Sequence, residues 1–352
     1  MTTPPIIDGH NDTILRLYMA EEPIDFFAGR DGGHIDFPRI KAGGLSGGFF
    51  ALYTPNQEKM TSYPGDKKDG DQAGYEVPLP PALDQNYALQ YTVGMAAKLL
   101  QVERQSQGQM RIVRTAPELE QCINDGTFAI IFHIEGAEAI DTDLNALYLL
   151  HAAGLRSLGL VWSRPTAFGY GVPFRFPATP NIGPGLTDAG KALVRACNQL
   201  SILVDMSHLN EAGFWDVARI SDAPLVTTHS GAHACSNSPR NLTDKQLDAI
   251  AESGGMTGVN FHVGFLREDG TNEPTTSLTE IVRHARYIAD RIGVDHVGLG
   301  SDFDGATMPG DLKDVAGLPK LVQALRDGGF SEAEVSKITY QNWLRVLGKT
   351  WK

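Results

Sequence analysis

The chain has 352 residues, of which 42% are hydrophobic and 20% are charged, and its formal net charge is -12 at pH 7. This excess of negative charge argues against nucleic acid or an anionic membrane surface as a partner, because neither would be attracted electrostatically. No apolar run reaches the roughly 18 residues of a membrane span, and the first residues lack the pattern of a signal peptide. We therefore expect a cytoplasmic protein with a small-molecule or peptide ligand.

The chain opens with a short apolar strand that ends in a candidate half-site for a metal. In Pro5–Asp12 the apolar run stops at Gly9, and His10 and Asp12 stand two positions apart. Successive side chains of an extended segment point to opposite faces, so these two share a face, where one cation could bind both. A second His-x-Asp, at His34–Asp36, has no apolar run before it, and we interpret it as a loop.

Strand and helix signals then alternate along the chain. Further apolar strands are predicted at residues 48–53, 128–136, 157–162, 202–208, 225–229, 255–261 and 296–302. Helical patterns lie between them and after the last, at residues 13–21, 82–105, 117–124, 144–153, 188–200, 211–220, 244–252, 278–292, 318–326 and 332–347. Capping boxes at Thr115–Glu118 and Ser277–Glu280 mark two of the helix starts.

This order predicts the fold class. Near-continuous apolar strands joined by helical crossovers indicate a parallel sheet buried on both faces, and eight such units predict an α/β fold, a closed (β/α)8 TIM barrel. An open doubly wound sheet is the alternative. It is disfavoured because the turn after the first strand lacks the G-x-G-x-x-G fingerprint of dinucleotide binding.

We expect residues 1–352 to form a single (β/α)8 domain with one long inserted loop at about residues 55–81. That stretch is rich in Gly, Pro, Asp and Lys. A loop of this length inside a compact domain is usually functional or flexible. We interpret it as an insertion that could cover a site.

The barrel prediction brings six polar side chains to one rim. They end the first, third, fifth, sixth and eighth strands, and are His10, Asp12, Glu135, His208, His229 and Asp302. Taken alone, a strand-end His is usually a hydrogen-bonded structural residue, and a strand-end Asp or Glu usually caps the next helix. Six of them at the rim where barrel enzymes carry their active sites favour a metal site.

Six ordered stretches resemble the motifs of the membrane (renal) dipeptidase family of zinc-dependent metallopeptidases. They are Asp8–Asp12, Ile134–Gly136, Asp205–His208, Thr228–Ser230, Pro239–Asn241 and Gly300–Gly305, and the match continues to Asn342–Val346. The resemblance implies a metal-dependent hydrolase barrel. It also implies a zinc dipeptidase that cleaves dipeptides with a free C-terminal carboxylate through a metal-bridging hydroxide, with L,D as well as L,L dipeptides as candidate substrates.

The resemblance also implies a binuclear site with two Zn²⁺ ions. One ion would be held by His10, Asp12 and Glu135, and the other by Glu135, His208 and His229, so that Glu135 bridges. Imidazole and carboxylate groups suit Zn²⁺, and two such metals can share a hydroxide and clamp a carbonyl oxygen. The charges also balance, since two Zn²⁺ ions carry +4 and three carboxylates with one hydroxide carry −4.

Two further residues take roles by the same resemblance. Asp302 would accept the proton of the attacking water and return it to the leaving amine, which is general acid–base catalysis. Arg240 would bind the carboxylate of the substrate, which a planar guanidinium can do through two parallel hydrogen bonds.

One position departs from the family pattern. The family ends its fourth strand in a His thought to bind the oxyanion, whereas the aligned residue here is Trp162, which offers one donor and no charge. Either zinc holds the oxyanion or another group substitutes. His262, after the seventh strand, is the preferred substitute, whereas His133 fits better as a packed residue in the barrel layer below the rim.

Two other functions stay open at this point. Another binuclear-metal amidohydrolase, acting on a non-peptide amide, would use the same rim, but it would not need Arg240 and would usually carry His-x-His on its first strand. A non-catalytic binding protein would be expected to have lost a ligand or Asp302, and neither is lost. The sequence leaves open the side-chain preference, the physiological metal and the oligomeric state, for which a homodimer is one option.

Overall fold

The computed structural model describes residues 3–29, 32–58 and 74–352. A short parallel strand, Met110–Ile112, pairs with the start of Phe128–Glu135 outside the barrel's own sequence of strands. The eight barrel strands, labelled β1 to β8, run Ile6–Asn11, Leu45–Tyr53, Phe128–Glu135, Ser157–Gly159, Leu203–Asp205, Val226–Ser230, Met256–Asn260 and Val297–Gly300. Each strand pairs with the next along the chain, and β8 pairs with β1. The sheet is therefore closed, and the predicted (β/α)8 barrel is confirmed.

Helices fill the crossovers between these strands. Their bounds are Thr13–Met19, Phe37–Gly43, Gln85–Gln105, Ala116–Asp125, Asn145–Ala153, Asp188–Gln199, Glu211–Ile220, Asp244–Glu252, Val263–Leu266, Thr279–Ile292, Leu318–Asp327, Glu332–Ser336 and Asn342–Thr350. Short 3-10 turns lie at Ala137–Ala139, Val294–His296 and Val315–Gly317. Across residues 3–29, 32–58 and 74–352, no helix combines the length and the apolar character needed to cross a membrane.

Two helix predictions were wrong in detail. The expected capping box at Ser277–Glu280 is absent: the helix begins at Thr279 after Leu278, which provides no side-chain cap, and the Ser277 hydroxyl accepts only from the Thr279 N–H. The expected closing helix at 332–347 is interrupted by a π-helical turn at Lys337–Gln341 and resumes at Asn342. A π turn inserts an extra residue and so rotates the face of the final helix.

The final helix closes the lower end of the barrel. Trp343 is fully buried, its indole N–H donates to the Leu299 carbonyl of β8, and its ring lies 4.8 Å from that of Phe49 in β2. The inward-facing Ile7, Ile131 and other barrel residues belong to the same apolar cluster. Because this end is filled by packing, the opposite end, where the strands terminate, is left for polar side chains.

The expected insertion at 55–81 is described only in part, since residues 59–73 lie outside the described segments. The last part of the insertion forms a short strand, Tyr75–Val77. This strand pairs antiparallel with Phe174–Phe176, which lies in the crossover between β4 and β5. The rings of Tyr75 and Phe176 stack with their centroids 6.0 Å apart. This two-stranded sheet attaches the insertion to the rim. The second His-x-Asp lies in a loop, as predicted, and Asp36 caps the helix Phe37–Gly43.

Candidate metal centre

Five of the predicted side chains meet at the open end of the barrel, each at most 6% exposed. Glu135, at the end of β3, stands between two groups. Its Oε2 lies 3.6 Å from His10 Nε2, which is 3.5 Å from Asp12 Oδ2. Its Oε1 lies 3.0 Å from His208 Nε2 and 3.4 Å from His229 Nε2. One carboxylate thus faces both halves of the cluster.

The donor atoms of this cluster fit divalent metal ions. Neither ring nitrogen of His10 makes a hydrogen bond within the described chain, and Asp12 Oδ1 is likewise without such a partner there. A buried polar atom without a hydrogen-bond partner costs free energy unless a ligand such as a metal ion binds it. His10, Glu135 and His229 form one set whose ligand atoms lie within 4.8 Å of one another, and His10, Asp12 and Asp302 form another. Imidazole and carboxylate donors in this number suit zinc or a similar ion.

Without metal, the titration of the cluster is strongly perturbed. Burial raises the pKa of Glu135 well above its usual value. Burial by itself would lower the pKa of His10, but the surrounding carboxylates, led by Glu135, raise it to about 10. Burial lowers the pKa of His208 and of His229 well below the usual range, and the nearby positive charges of Arg240 and His10 add to the effect. The last two imidazoles are therefore neutral, the form that binds a metal.

A hydrogen-bond chain sets which nitrogen of His229 is protonated. Asp205, at the end of β5, accepts from the Thr228 hydroxyl at 2.6 Å, so the hydroxyl proton points at this carboxylate. The Thr228 oxygen lies 2.8 Å from His229 Nδ1 and must accept there, which puts the imidazole proton on Nδ1. The lone pair of Nε2 then faces Glu135, as a metal ligand requires.

Two more partners hold the ligands in place. The Ser163 hydroxyl lies 2.9 Å from His208 Nδ1. Asp8 accepts from the Ser301 N–H at 2.6 Å and from the Ser301 hydroxyl at 2.8 Å. These bonds tie β1 to the end of β8 just below His10. Burial raises the pKa of Asp8 to about 6. Sequence reasoning assigned no role to Asp8, Asp205, Thr228 or Ser163. Asp8, Asp205 and Thr228 lie within the quoted motifs and Ser163 directly follows Trp162, and these positions are the only signal that could have found them.

Asp302 lies beside the cluster and is half-buried. Its Oδ2 accepts from Asn260 Nδ2 at 3.0 Å. Both Asp302 and His208 have left-handed backbones, with φ of 63° and 65°, which is uncommon outside glycine and typical of functional sites. Gly305 leaves the space that the two carboxylates occupy: a Cβ there would lie 2.0 Å from Asp12 Oδ2 and 2.7 Å from Asp302 Oδ1.

A cavity of about 620 Å³ opens above the cluster. Its wall includes Asp12, Glu135, His208 and Asp302, together with the predicted Trp162 and His262. His262 Nδ1 accepts from the Thr307 N–H at 3.3 Å, so the neutral ring carries its proton on Nε2 and is a donor there. Trp162 lies three residues past the end of β4, and its ring centroid is 5.9 Å from that of His208.

Arg240 is buried at the side of this cavity and is not one of its lining residues. Its Nη2 donates to the His229 carbonyl at 3.1 Å, and its guanidinium lies 5.4 Å from the ring centre of Phe265, which does line the cavity. Arg240 Nε finds no hydrogen-bond partner among the residues described. His133, as predicted, packs below the rim, where it is fully buried and its Nδ1 lies 2.9 Å from the Ser157 hydroxyl.

Comparison with known proteins identifies relatives along the whole chain. A family model described as membrane dipeptidase, peptidase family M19, matches residues 1–352. An uncharacterized protein of the pqqA 5′ region of Klebsiella pneumoniae is 48% identical over 256 residues, which are 73% of this chain and 94% of that protein.

Two solved structures are similar over nearly their full lengths. One, described as dipeptidase AC, a metallo peptidase of family M19, is 49% identical with a TM-score of 0.93, and 99% of each chain is covered. The other is a metallo peptidase from Rhodobacter sphaeroides liganded with a phosphinate mimic of the dipeptide L-Ala-D-Ala. It is 48% identical with a TM-score of 0.92, and the match covers 99% of this chain and 100% of that one.

Proposed function

The chain belongs to the membrane dipeptidase family, peptidase family M19, and is a metal-dependent dipeptidase; from this premise we propose which of its residues carry the reaction. The observation that carries the proposal is the position of Glu135. One of its carboxylate oxygens faces His10 and the other faces His208 and His229. A bridging ligand must have this arrangement.

We assign the metal ligands accordingly. His10, Asp12 and Glu135 hold one ion, and Glu135, His208 and His229 hold the other, with zinc as the expected metal. When bound, such ions lower the pKa of a coordinated water and polarise the scissile carbonyl. The buried ring nitrogens of His10, which make no hydrogen bond within the described segments, support its assignment as a ligand.

Asp302 is assigned the proton transfer. Its half-buried carboxylate borders the cavity beside Asp12, and Asn260 orients it through Oδ2. It would accept a proton from the attacking water and deliver it to the amine that leaves. A single carboxylate can do both because it is regenerated in each turnover.

Arg240 is assigned the C-terminal carboxylate of the dipeptide. A charged Nε that is buried without a hydrogen bond is costly, by about 1–3 kcal/mol for an ordinary donor and more for a charged one. The carboxylate of a substrate would satisfy it. Because the guanidinium is buried beside Phe265 at the cavity wall, one end of the substrate would be held on this side.

His262 is assigned to the oxyanion. Its Nε2 carries the proton in the neutral ring, and it lines the same cavity as Glu135 and His208. Trp162 occupies the position of the family's oxyanion His, but its indole has only one weakly polar donor. We therefore place the oxyanion contact at His262 and give Trp162 a different part of the substrate.

The substrate range proposed is L,L and L,D dipeptides. The L-Ala-D-Ala mimic bound by the Rhodobacter sphaeroides relative supports the L,D part. A cytoplasmic location is also proposed, and the three cysteines agree with it, since Cys122, Cys197 and Cys235 are buried free thiols.

The test combines metal analysis with a substrate comparison. Well-loaded protein should contain two divalent ions per chain, and a dipeptide should have a kcat/KM about 10- to 150-fold above that of its C-terminal amide, as expected for a charge-assisted contact of about 1.5–3 kcal/mol. Arg240→Met should remove most of this difference, whereas Arg219→Met, on an exposed helix surface, should keep it. Equal rates for acid and amide in the wild type would refute the carboxylate assignment, and one ion or none would refute the binuclear site.

A further inference from the structure

Three aromatic residues form one wall of the cavity, here called the aromatic wall: Tyr53, Trp162 and Phe174. The ring centroid of Trp162 lies 5.0 Å from that of Tyr53 and 5.1 Å from that of Phe174. The three come from the end of β2, from the segment after β4 and from the short strand that holds the insertion. Of the three, only Trp162 has been given a contact with the substrate above, and the part of the substrate that it contacts was left open.

Within the aromatic wall, Tyr53 is the residue that stands across the barrel from the loop carrying Arg240. In an eight-stranded barrel β2 stands across the axis from β6, and Arg240 belongs to the loop that follows β6. Glu135, at the end of the neighbouring β3, is paired in register with Tyr53, so the metal cluster lies directly beside this residue of the wall. A dipeptide whose carboxylate is held by Arg240 and whose peptide bond lies at the metal cluster must therefore point its first residue toward β2.

We infer that the aromatic wall binds the side chain of the N-terminal residue of the dipeptide and favours apolar side chains there. This inference rests on the proposed function, since it takes the direction of the substrate from Arg240. Ring faces offer dispersion contact to apolar groups, whereas a charged side chain would lose hydration against them. A cation could gain a contact with a ring face, but the Arg164 guanidinium already lies over the Tyr53 and Trp162 rings.

Arg164 is the positioning residue of this wall. It is fully buried, and its guanidinium carbon lies 5.0 Å from the ring centres of both Tyr53 and Trp162. Its donors go to Glu138 at 2.7 Å, the Tyr53 hydroxyl at 3.0 Å, Asn56 Oδ1 at 2.7 Å and the Thr54 carbonyl at 2.7 Å. One guanidinium thus ties the segments after β2, β3 and β4 together behind the rings.

The charge of Arg164 does not contradict an apolar subsite. Glu138 is also buried, and its carboxylate neutralises the guanidinium through the 2.7 Å contact with Nε. Of the wall's neighbours, Glu58 lines the cavity as an exposed acid. If Glu58 determined specificity, the N-terminal position would prefer basic side chains, so the experiment includes a Lys dipeptide.

The experiment measures kcat/KM for two series of dipeptides with metal-loaded protein. In the first, X-Ala, the N-terminal residue is Gly, Leu, Phe or Lys; in the second, Ala-X, the same residues stand at the C-terminus. The wild type should prefer Phe-Ala and Leu-Ala over Gly-Ala and Lys-Ala. Trp162→Ala should lower the Phe-Ala to Gly-Ala ratio by about tenfold or more, the scale of hydrophobic pocket discrimination, and leave the ratios within Ala-X unchanged.

One further variant serves as a control and another as a second test. Phe265→Ala, on the Arg240 side, should change the Ala-X ratios and spare the X-Ala ratios. Arg164→Lys keeps a charge for Glu138 but cannot keep all four contacts, so it should reduce the X-Ala ratio as Trp162→Ala does, at unchanged metal content. If Trp162→Ala does not fold, Trp162→Leu replaces it in the same measurement.

The outcomes separate this inference from the proposed function. Four outcomes would overturn the inference while dipeptide hydrolysis stands. Three concern Trp162→Ala: an unchanged Phe-Ala to Gly-Ala ratio, a change in the Ala-X ratios instead, or an equal loss of kcat/KM for all substrates. The fourth is a wild-type preference for Lys-Ala. No hydrolysis of any dipeptide by the metal-loaded wild type would overturn the proposed function, and the inference with it.

Discussion

At the scale of single residues, the chemistry of the candidate metal centre depends on side chains that never touch a metal. Asp205 can only accept hydrogen bonds, so it directs the Thr228 hydroxyl and thereby the proton of His229. A neutral imidazole with the proton on the wrong nitrogen would offer a metal no lone pair at Nε2. The ligand set is thus oriented by a second layer of hydrogen bonds.

We predict that Thr228→Val lowers metal affinity by about 10- to 100-fold, the usual effect of losing a partner behind a ligand. Valine matches the shape of threonine but cannot accept from His229 Nδ1, so the tautomer is no longer fixed. Thr227→Val is the matched control, because the Thr227 hydroxyl contacts Thr257 instead of a histidine. Competition with a chelating dye measures the affinity, and equal values for the two variants would contradict the prediction.

A second prediction concerns Asp302. Asp302→Asn keeps the shape of the side chain, and the new amide can still form a hydrogen bond with Asn260. An amide, however, cannot accept a proton from water. We expect kcat to fall by about a hundredfold or more, as for loss of general acid–base catalysis, while metal content stays nearly unchanged. Steady-state kinetics with elemental analysis on the same preparation measures both. Turnover close to the wild-type rate would remove Asp302 from the mechanism.

At the scale of elements, the helix Thr279–Ile292 anchors the loop that carries Arg240. His284 is fully buried in this helix, accepts from the Ala232 N–H through Nδ1 at 3.0 Å, and its Nε2 lies 2.9 Å from the Leu266 carbonyl. The neutral ring therefore donates through Nε2 and joins the loops after β6 and β7. The loop after β7 lines the cavity through His262 and Phe265, and the loop after β6 carries Arg240 beside it.

This contact predicts a pH dependence. Burial lowers the pKa of His284 to about 4, so the folded chain keeps it neutral while the unfolded chain protonates it below its usual pKa near 6.5. The unfolded state then binds more protons, so stability falls as pH drops from about 6.5 to 4. In His284→Gln the loss of unfolding free energy between pH 7 and 4.5 should be smaller by about 2 kcal/mol. Urea titrations at the two pH values measure it, and identical losses would contradict the assignment.

Element bounds were predictable where local chemistry decides them. Thr115 caps the helix Ala116–Asp125 by accepting from the Glu118 N–H, as predicted. The second half of the predicted capping box differs, because the Glu118 carboxylate accepts from the N–H of Arg114 instead of that of Thr115. The signature at Ser277 failed because the helix begins two residues later and the Ser277 hydroxyl forms a local turn. The π turn at Lys337–Gln341 left no sequence signal either; it directly precedes the helix that carries Trp343 under the barrel.

At the scale of the whole molecule, the barrel concentrates negative charge at one end of its axis. Burial and mutual repulsion raise the pKa of Asp12 and of Glu135, which means that the folded chain resists ionising them without a counter-charge. Divalent ions supply that counter-charge. Folding and metal binding should therefore be coupled, because an ion that binds only the folded state stabilises it by mass action.

We predict that removing the metal destabilises the protein. For a site that was filled at a thousandfold excess over Kd, chelation should cost about 4 kcal/mol of unfolding free energy. Thermal unfolding before and after dialysis against a chelator, with the metal added back as the control, measures the effect. An unchanged melting temperature in protein shown to be metal-free would contradict it. A single domain over residues 1–352 stays a prediction at this scale, which limited proteolysis can test.

The sequence by itself determined the order of the eight barrel strands and which polar residues lie at or just past their ends. Strand character and side-chain alternation are local properties, so the apolar runs predicted a closed barrel and brought His10, Asp12, Glu135, His208, His229 and Asp302 to one rim. The roles assigned to these residues came from a resemblance and await experiment. Local pattern also indicated that His133 packs below the rim, where it is now seen.

Only the tertiary structure decided how those side chains face one another and what stands behind them. The two-sided position of Glu135, the Asp205 contact that directs the His229 proton and the contacts of Arg164 all join residues from different strands or from the segments that follow them. Such contacts depend on the register of the closed sheet and on rotamers chosen against distant neighbours. No local pattern encodes those distances, because each side chain is oriented by partners that lie tens to hundreds of positions away.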